Sequence, residues 1–141
     1  MVDVPLRGAN GVHNWFWHPG QDQAVHPVDD LVEMYYQSVG RNCNFVIGEV
    51  ITPEGLVPES DIRHLAEFGS RIEDRFGSPV SRTSGEGRQI ALELEKPATV
   101  DQISISEDIR YGERIRSYTV LGMTAEGETT KLCAGQSVGH K

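Results

Sequence analysis

The sequence predicts an α/β unit followed by an all-β unit. Two observations carry this. In the first half, apolar residues recur at helical spacing on either side of one short, β-prone apolar run. In the second half the period changes to alternation. The change falls near the turn-rich stretch Ser78-Pro79-Val80-Ser81-Arg82-Thr83-Ser84-Gly85-Glu86-Gly87. The expected division is therefore residues 1–78, a linker over 79–87, and residues 88–141.

The elements follow in chain order. Trp15-Phe16-Trp17 is an aromatic run with the composition of a strand end, and a polar loop from Pro19 to His26 follows it. Val28, Leu31, Val32, Tyr35 and Val39 then repeat at helical spacing. Pro27 stands at the start of that helix and Gly40 at its expected end. Asp29 and Asp30 fall in the first turn, where the helix dipole favours negative charge. Phe45-Val46-Ile47 is apolar throughout, which predicts a strand buried on both faces, as in a parallel sheet. After a loop with Pro53, Gly55 and Pro58, the residues Ile62, Leu65, Phe68, Ile72 and Phe76 predict a second helix, stopped by Gly77. Helix, buried strand, helix is the rhythm of an α/β barrel or a doubly wound sheet.

Beyond the linker, Ile90, Leu92 and Leu94 alternate with Gln89, Glu93 and Glu95. Ile103 and Ile105 repeat the alternation, as do Tyr118 and Val120, and Leu132 follows a turn at Glu126-Gly127. Short alternating strands with glycine turns predict an antiparallel sandwich. Neither half is complete by its own standard. A closed barrel needs eight strands and about 250 residues, and a sandwich has about 7 strands. A truncated chain is the expectation.

Bulk properties narrow the function classes. Of the 141 residues, 38% are hydrophobic, enough for a core, and no stretch approaches the roughly 20 apolar residues of a membrane span. The net charge is −8, and residues 1–81 carry 12 acids against 5 bases. That balance argues against a nucleic-acid partner, which requires clustered Lys and Arg. Two cysteines, Cys43 and Cys133, are too few for a disulfide framework or a zinc site and are expected free and buried. No His, Cys, Asp or Glu set has ligand spacing, so neither a metal nor a cofactor is expected.

Several segments resemble glycoside hydrolase family 29, the α-L-fucosidases. The most specific is Leu31-Val32-Glu33-Met34-Tyr35-Tyr36-Gln37-Ser38-Val39-Gly40-Arg41-Asn42, similar to that family's helix and its Ser-Val-Gly-Arg-Asn signature before a buried strand. Trp15-Phe16-Trp17-His18-Pro19 resembles an aromatic motif at an active-site strand end. Gly55 to Ile62 and Leu65 to Gly69 resemble the last barrel helix. Glu107 to Arg116 and Gly135 to Lys141 resemble a discoidin-like (galactose-binding) sandwich. The resemblance implies the last βα units of a (β/α)8 TIM-like barrel and a partial antiparallel β-sandwich.

It also implies a chemistry. Members hydrolyse α-L-fucosides with retention: an Asp nucleophile forms a fucosyl-enzyme, and a second carboxylic acid protonates the leaving oxygen. The two carboxyls stand about 5 Å apart with split pKa values. By the resemblance the nucleophile precedes Met1, and the acid/base Glu falls at or just before it. There is no Glu between Met1 and Asn14, and Asp3 is not the acid/base equivalent. No catalytic residue is therefore assigned in this chain, which is expected to be inactive alone. Its implied partners are a fucosylated oligosaccharide or glycoconjugate and the remainder of the barrel. Members are typically secreted, periplasmic or lysosomal, and this sequence carries no address of its own.

Trp15 and Trp17 are the candidate substrate-binding residues, since an aromatic wall suits the C–H face and methyl group of fucose. Core packing is the plainer reading of both. His13 and His18 read as loop histidines before sugar ligands, and His64 as an exposed helix residue. Glu49 follows the buried strand, at the catalytic end of a barrel strand. The family pattern has Asn and an apolar residue where this chain has Gly48 and Glu49, so a rim carboxylate is the plainer reading. Arg41 and Asn42 are expected to end the helix and pair beneath the strand. Arg110, Arg114 and Arg116 interleave with Glu107, Asp108 and Glu113, the pattern of a solvated ion-pair surface. The alternative from a different class is a non-catalytic carbohydrate- or protein-binding module, because a discoidin-like fold alone does not settle function.

Overall fold

A computed structural model describes residues 1–9, 11 and 13–140. The chain divides into two compact units, Met1–Ser78 and Pro79–Lys141.

The first unit is α/β. Strand β1 (Val2–Pro5) lies parallel to strand β2 (Phe45–Gly48), with Val2 opposite Phe45 and Pro5 opposite Gly48. Backbone bonds from Val2 N–H to the Asn44 carbonyl and from Leu6 N–H to the Gly48 carbonyl, 2.8 and 2.9 Å, frame the ladder. The even residues of β1 thus donate toward β2. Pro5, which has no N–H, occupies an odd position where no donor to β2 is needed.

Helix α1 (Val28–Ser38) connects the strands, and helix α2 (Glu59–Phe76) follows β2. Both begin directly after a proline, Pro27 and Pro58, whose fixed φ suits a helix entrance. The two helices pack on one side of the sheet. Leu6, Val25 and Leu31 form the core, joined by Met34, Ile47, Leu65 and Phe68. Aromatic contacts extend it: Phe45 on Phe68 at 6.4 Å, and Tyr35 on Phe68 and Phe76 at 6.3 and 5.6 Å. Arg71 pairs with Asp29 at 2.5 Å, and Arg75 donates to the Tyr36 hydroxyl at 2.8 Å, tying α2 to α1 at the surface.

Several expectations are corrected here. Trp15-Phe16-Trp17 is loop, and the strand that pairs with β2 lies ten residues earlier. The end of α1 is made by Asn42 rather than Gly40. The α-helix passes into a 3-10 turn over Val39–Arg41, and Asn42 then turns left-handed at φ 64°, which a short polar side chain tolerates. Buried Ser38 supports the same turn, donating its hydroxyl to the Met34 carbonyl at 2.6 Å. Arg41 is exposed and, among the described residues, makes no ion pair. Strand β2 is covered on one face only. Phe45 and Ile47 meet the helices, whereas Val46 is 41% exposed. A strand is buried on both faces only when further strands bring side chains over the second face, and this sheet has two.

The second unit contains one antiparallel pair, β3 (Tyr118–Met123) with β4 (Thr129–Gly135). The expected turn is present: Gly127 adopts φ 86° and donates to the Thr124 carbonyl at 3.0 Å. The Tyr118 ring lies over Gly135, its cross-strand partner. Residues 89–95 and 103–105, expected as strands, form no ladder, and Ile90, Leu92 and Ile103 are 46–54% exposed. Alternation marks a segment that can line a sheet, but a strand exists only where a neighbour accepts its backbone bonds. Both cysteines are free as expected, but Cys43 is half-buried and Cys133 exposed.

Candidate functional site

The C-terminal end of the β1–β2 sheet is the best-built polar region of the first unit. Strand alternation defines its two sides. Phe45 and Ile47 face the helices, so Val46 and Gly48 face the open side. Their register partners Asp3 and Pro5 share that face. Trp15 arrives on it from the loop after β1, its ring edge directly over Gly48. The loop is held by backbone bonds from Asn14 N–H to the Arg7 carbonyl and from His26 N–H to the Leu6 carbonyl, both 2.9 Å.

Behind that loop lies a buried ion pair. Arg7 and Asp61 are both fully buried. Arg7 donates from Nε to Asp61 Oδ2 at 3.0 Å and from Nη2 to Asp61 Oδ1 at 2.6 Å. The same Nη2 reaches Asp22 Oδ1 at 3.0 Å, and the Ser60 hydroxyl donates to Asp61 Oδ1 at 2.8 Å. One guanidinium thus joins the end of β1, the short turn Asp22–Ala24 and the first turn of α2. The two-point geometry is the strong form of this pairing. The Asp61 hydrogen bonds hold the Arg7 pKa above its ordinary value, against the opposing effect of burial.

Glu49 follows Gly48, and alternation carries it to the helix side, toward Arg7 and Asp61. Both its carboxyl oxygens are buried without a hydrogen-bond partner. Burial raises its pKa, Asp61 raises it further, and Arg7 opposes them. The sign of its effect on stability follows. A carboxyl whose folded pKa is raised favours the folded state below its ordinary value near 4.5, and that contribution is lost as pH rises through the raised value. Glu49→Gln is therefore expected to match the parent protein below about pH 4, to become progressively more stable than it as pH rises from the ordinary value through the raised one, and to keep that advantage at higher pH. Thermal melts across pH check this, and a difference independent of pH would contradict it.

The other candidates fall as follows. Trp15 is 44% exposed at the sheet end, while Trp17 is half-buried in the loop beyond. With no strand there, alternation does not relate the two rings. His13 and His18 are exposed. His64 is half-buried, not exposed, with Nδ1 2.8 Å from the Ser60 carbonyl oxygen. His26, which the sequence did not single out, packs against Gly8, and burial lowers its pKa despite nearby Asp30. Arg7 was likewise missed, although it is the sole Lys or Arg in the first forty residues. Among the described residues no group of three or more His, Cys, Asp or Glu is arranged to hold a metal ion. No helix among them is long and apolar enough to cross a membrane.

In the second unit, Arg110 pairs with Asp108 at 2.6 Å, which holds the Asp108 carboxyl below its ordinary range. Glu107 Oε1 accepts the backbone N–H groups of Arg114 and Ile115 at 2.5 and 3.1 Å. The arginine cluster is thus laced with carboxylates.

Comparison with known proteins agrees with this architecture. The sequence matches no protein-family model. It is 27% identical to α-L-fucosidase 1 of Arabidopsis thaliana over 162 residues, covering 90% of this chain and 32% of that protein. A Bacteroides thetaiotaomicron structure assigned as an α-L-fucosidase superposes with a TM-score of 0.94 at 42% identity, covering 99% of this chain and 32% of that one. A glycoside hydrolase 29 family member from an unknown rumen bacterium superposes with a TM-score of 0.75 at 26% identity, covering 96% of this chain and 26% of that one. The chain spans about a third of the length of the curated relatives it matches. In sequence and in fold, along nearly its whole length, this chain is similar to about a third of each of these α-L-fucosidases and to part of the glycoside hydrolase 29 family member.

Proposed function

We propose that this chain is the closing part of the barrel, and the opening part of the following β domain, of a retaining α-L-fucosidase acting on fucosylated glycans. The observation that carries the reading is the match of 99% of the chain to the Bacteroides structure at 42% identity. On this reading residues 1–78 are the last βα units of the (β/α)8 barrel. Residues 79–87 are a linker, and residues 88–141 begin the discoidin-like sandwich. The open face of the β1–β2 sheet, with exposed Val46 and Asp3, is the face that the other barrel strands cover.

Trp15 and Trp17 form the sugar-facing wall, with Trp15 at the C-terminal strand end, where barrel active sites lie. Its indole presents an apolar surface to the C–H face of fucose. The chain's own carboxylates do not make the catalytic pair. Glu49 is turned toward Arg7 and Asp61, and Asp61 is committed to that ion pair. The nucleophile and acid/base belong to the remainder of the barrel.

The purified 141-residue chain is expected to give no turnover of an aryl α-L-fucoside. Titration with L-fucose is expected to change its tryptophan emission weakly, with a Kd on the order of 1 mM or above, about −4 kcal/mol or weaker. Trp15→Ala is expected to remove most of that response. Turnover by the chain alone, or no response to fucose in the parent protein, would contradict the reading.

A further inference from the structure

Gly48 ends β2 on the open face of the sheet. A Cβ there would stand 2.8 Å from Trp15 Cζ3 and 3.1 Å from Cε3, closer than side chains pack. The next neighbour, Pro5 Cα, is at 3.7 Å, an ordinary contact. The backbone of β1 therefore leaves room for a Cβ at position 48, and among the described residues it is the indole that excludes one. Gly48 is also not among the residues of positive φ, so its conformation does not demand glycine. What remains is the close approach of Trp15.

We infer that Gly48 is a positioning residue: its missing side chain lets the Trp15 indole lie flush on the strand end, and so sets the place of the wall that a sugar meets. Carbon atoms pack best at about 3.5–4.0 Å, so a methyl group at position 48 pushes the ring outward by about 1 Å. Anything larger pushes it further. The link to sugar recognition rests on the reading of Trp15 as a substrate contact. The steric link between Gly48 and Trp15 does not.

The experiment separates the two. The full chain carries two tryptophans, so Trp17→Phe leaves Trp15 as the sole reporter. In that background Gly48→Ala is expected to red-shift the emission and to increase acrylamide quenching. Gly69→Ala, where a Cβ meets nothing within 4 Å, serves as the control and is expected to change neither. With Trp17 kept in place, L-fucose is expected to bind the Gly48→Ala protein roughly tenfold more weakly than the parent, as a displaced contact surface implies. In a Trp15→Ala background, Gly48→Ala is expected to leave the melting temperature unchanged, because the obstructing ring is gone. Unchanged emission and quenching would overturn the inference. So would equal destabilisation by Gly48→Ala with and without the indole, which also covers a Gly48→Ala protein that fails to fold. If emission shifts as expected while fucose alters neither protein, the positioning role stands and the sugar-contact reading falls.

Discussion

Arg7→Ala is expected to destabilise the α/β unit by about 3–5 kcal/mol, the usual consequence of leaving one partner of a buried ion pair uncompensated. Asp61 would remain buried, keeping only the Ser60 hydroxyl of its present side-chain partners among the described residues. The loss is not confined to charge. Arg7 is where the end of β1, the turn at Asp22 and the start of α2 meet, and its carbonyl anchors Asn14 just before Trp15. Urea unfolding followed by tryptophan emission measures the effect. Asp22→Asn gives the contrast: that side chain is 65% exposed, so its loss is expected to cost about 1 kcal/mol or less. Replacing Arg7 and Asp61 together by Met and Leu is expected to recover much of the stability, since apolar substitutes of similar volume remove both desolvated charges. A double variant as unstable as Arg7→Ala would show that the site requires this ion pair itself.

Leu31→Ala is the second large effect. Leu31 has no exposed surface and sits with Leu6 and Val25 at the centre of the small core, against Ile47 of β2 and Phe68 of α2. Truncation is expected to cost about 2–5 kcal/mol, part transfer free energy and part the cavity left behind. The core holds three fully apolar buried members in one cluster, so little is available to fill the gap. Ile62 of α2 is 53% exposed, and Ile62→Ala is expected to cost far less. Equal losses at the two positions would contradict the placement of the core.

The helices were legible because each satisfies several local rules at once. Val28, Leu31 and Val32 give the spacing, Pro27 the entrance and Asp29 and Asp30 the first turn, and the helix forms there. Strand β2 was legible from Phe45-Val46-Ile47 for the same reason. Strand β1 was not, because Val-Asp-Val-Pro is four residues long and carries a proline. Only its parallel register with β2 reveals that Pro5 sits where no donor is required. The Trp15-Phe16-Trp17 run misled in the opposite direction. Aromatic residues favour strands and also line sites, and here they stand in a loop. The alternating segments around Leu92 and Ile103 state which face would be buried without stating what would bury it.

Of the candidate site, the sequence offered residue types and not their placement. Trp15 was identified by type, and its position over Gly48 supplies the reason for the glycine. The Gly48-Glu49 pair, which departs from the pattern of the family that the sequence resembles, divides physically: Gly48 yields space to Trp15, and Glu49 turns toward Arg7 and Asp61. The Arg7–Asp61 pair joins residues 54 positions apart, and no local pattern announces a contact of that range.

The proposed function is tested most directly in a joined protein. This chain would replace the matching third of the Bacteroides thetaiotaomicron relative, joined to the other two thirds of that protein, and hydrolysis of an aryl α-L-fucoside would be measured beside the unaltered relative. The account predicts fucoside hydrolysis by the joined protein, with KM raised by Trp15→Ala and by Gly48→Ala. A joined protein that folds but does not hydrolyse the substrate, where the unaltered relative does, would contradict it.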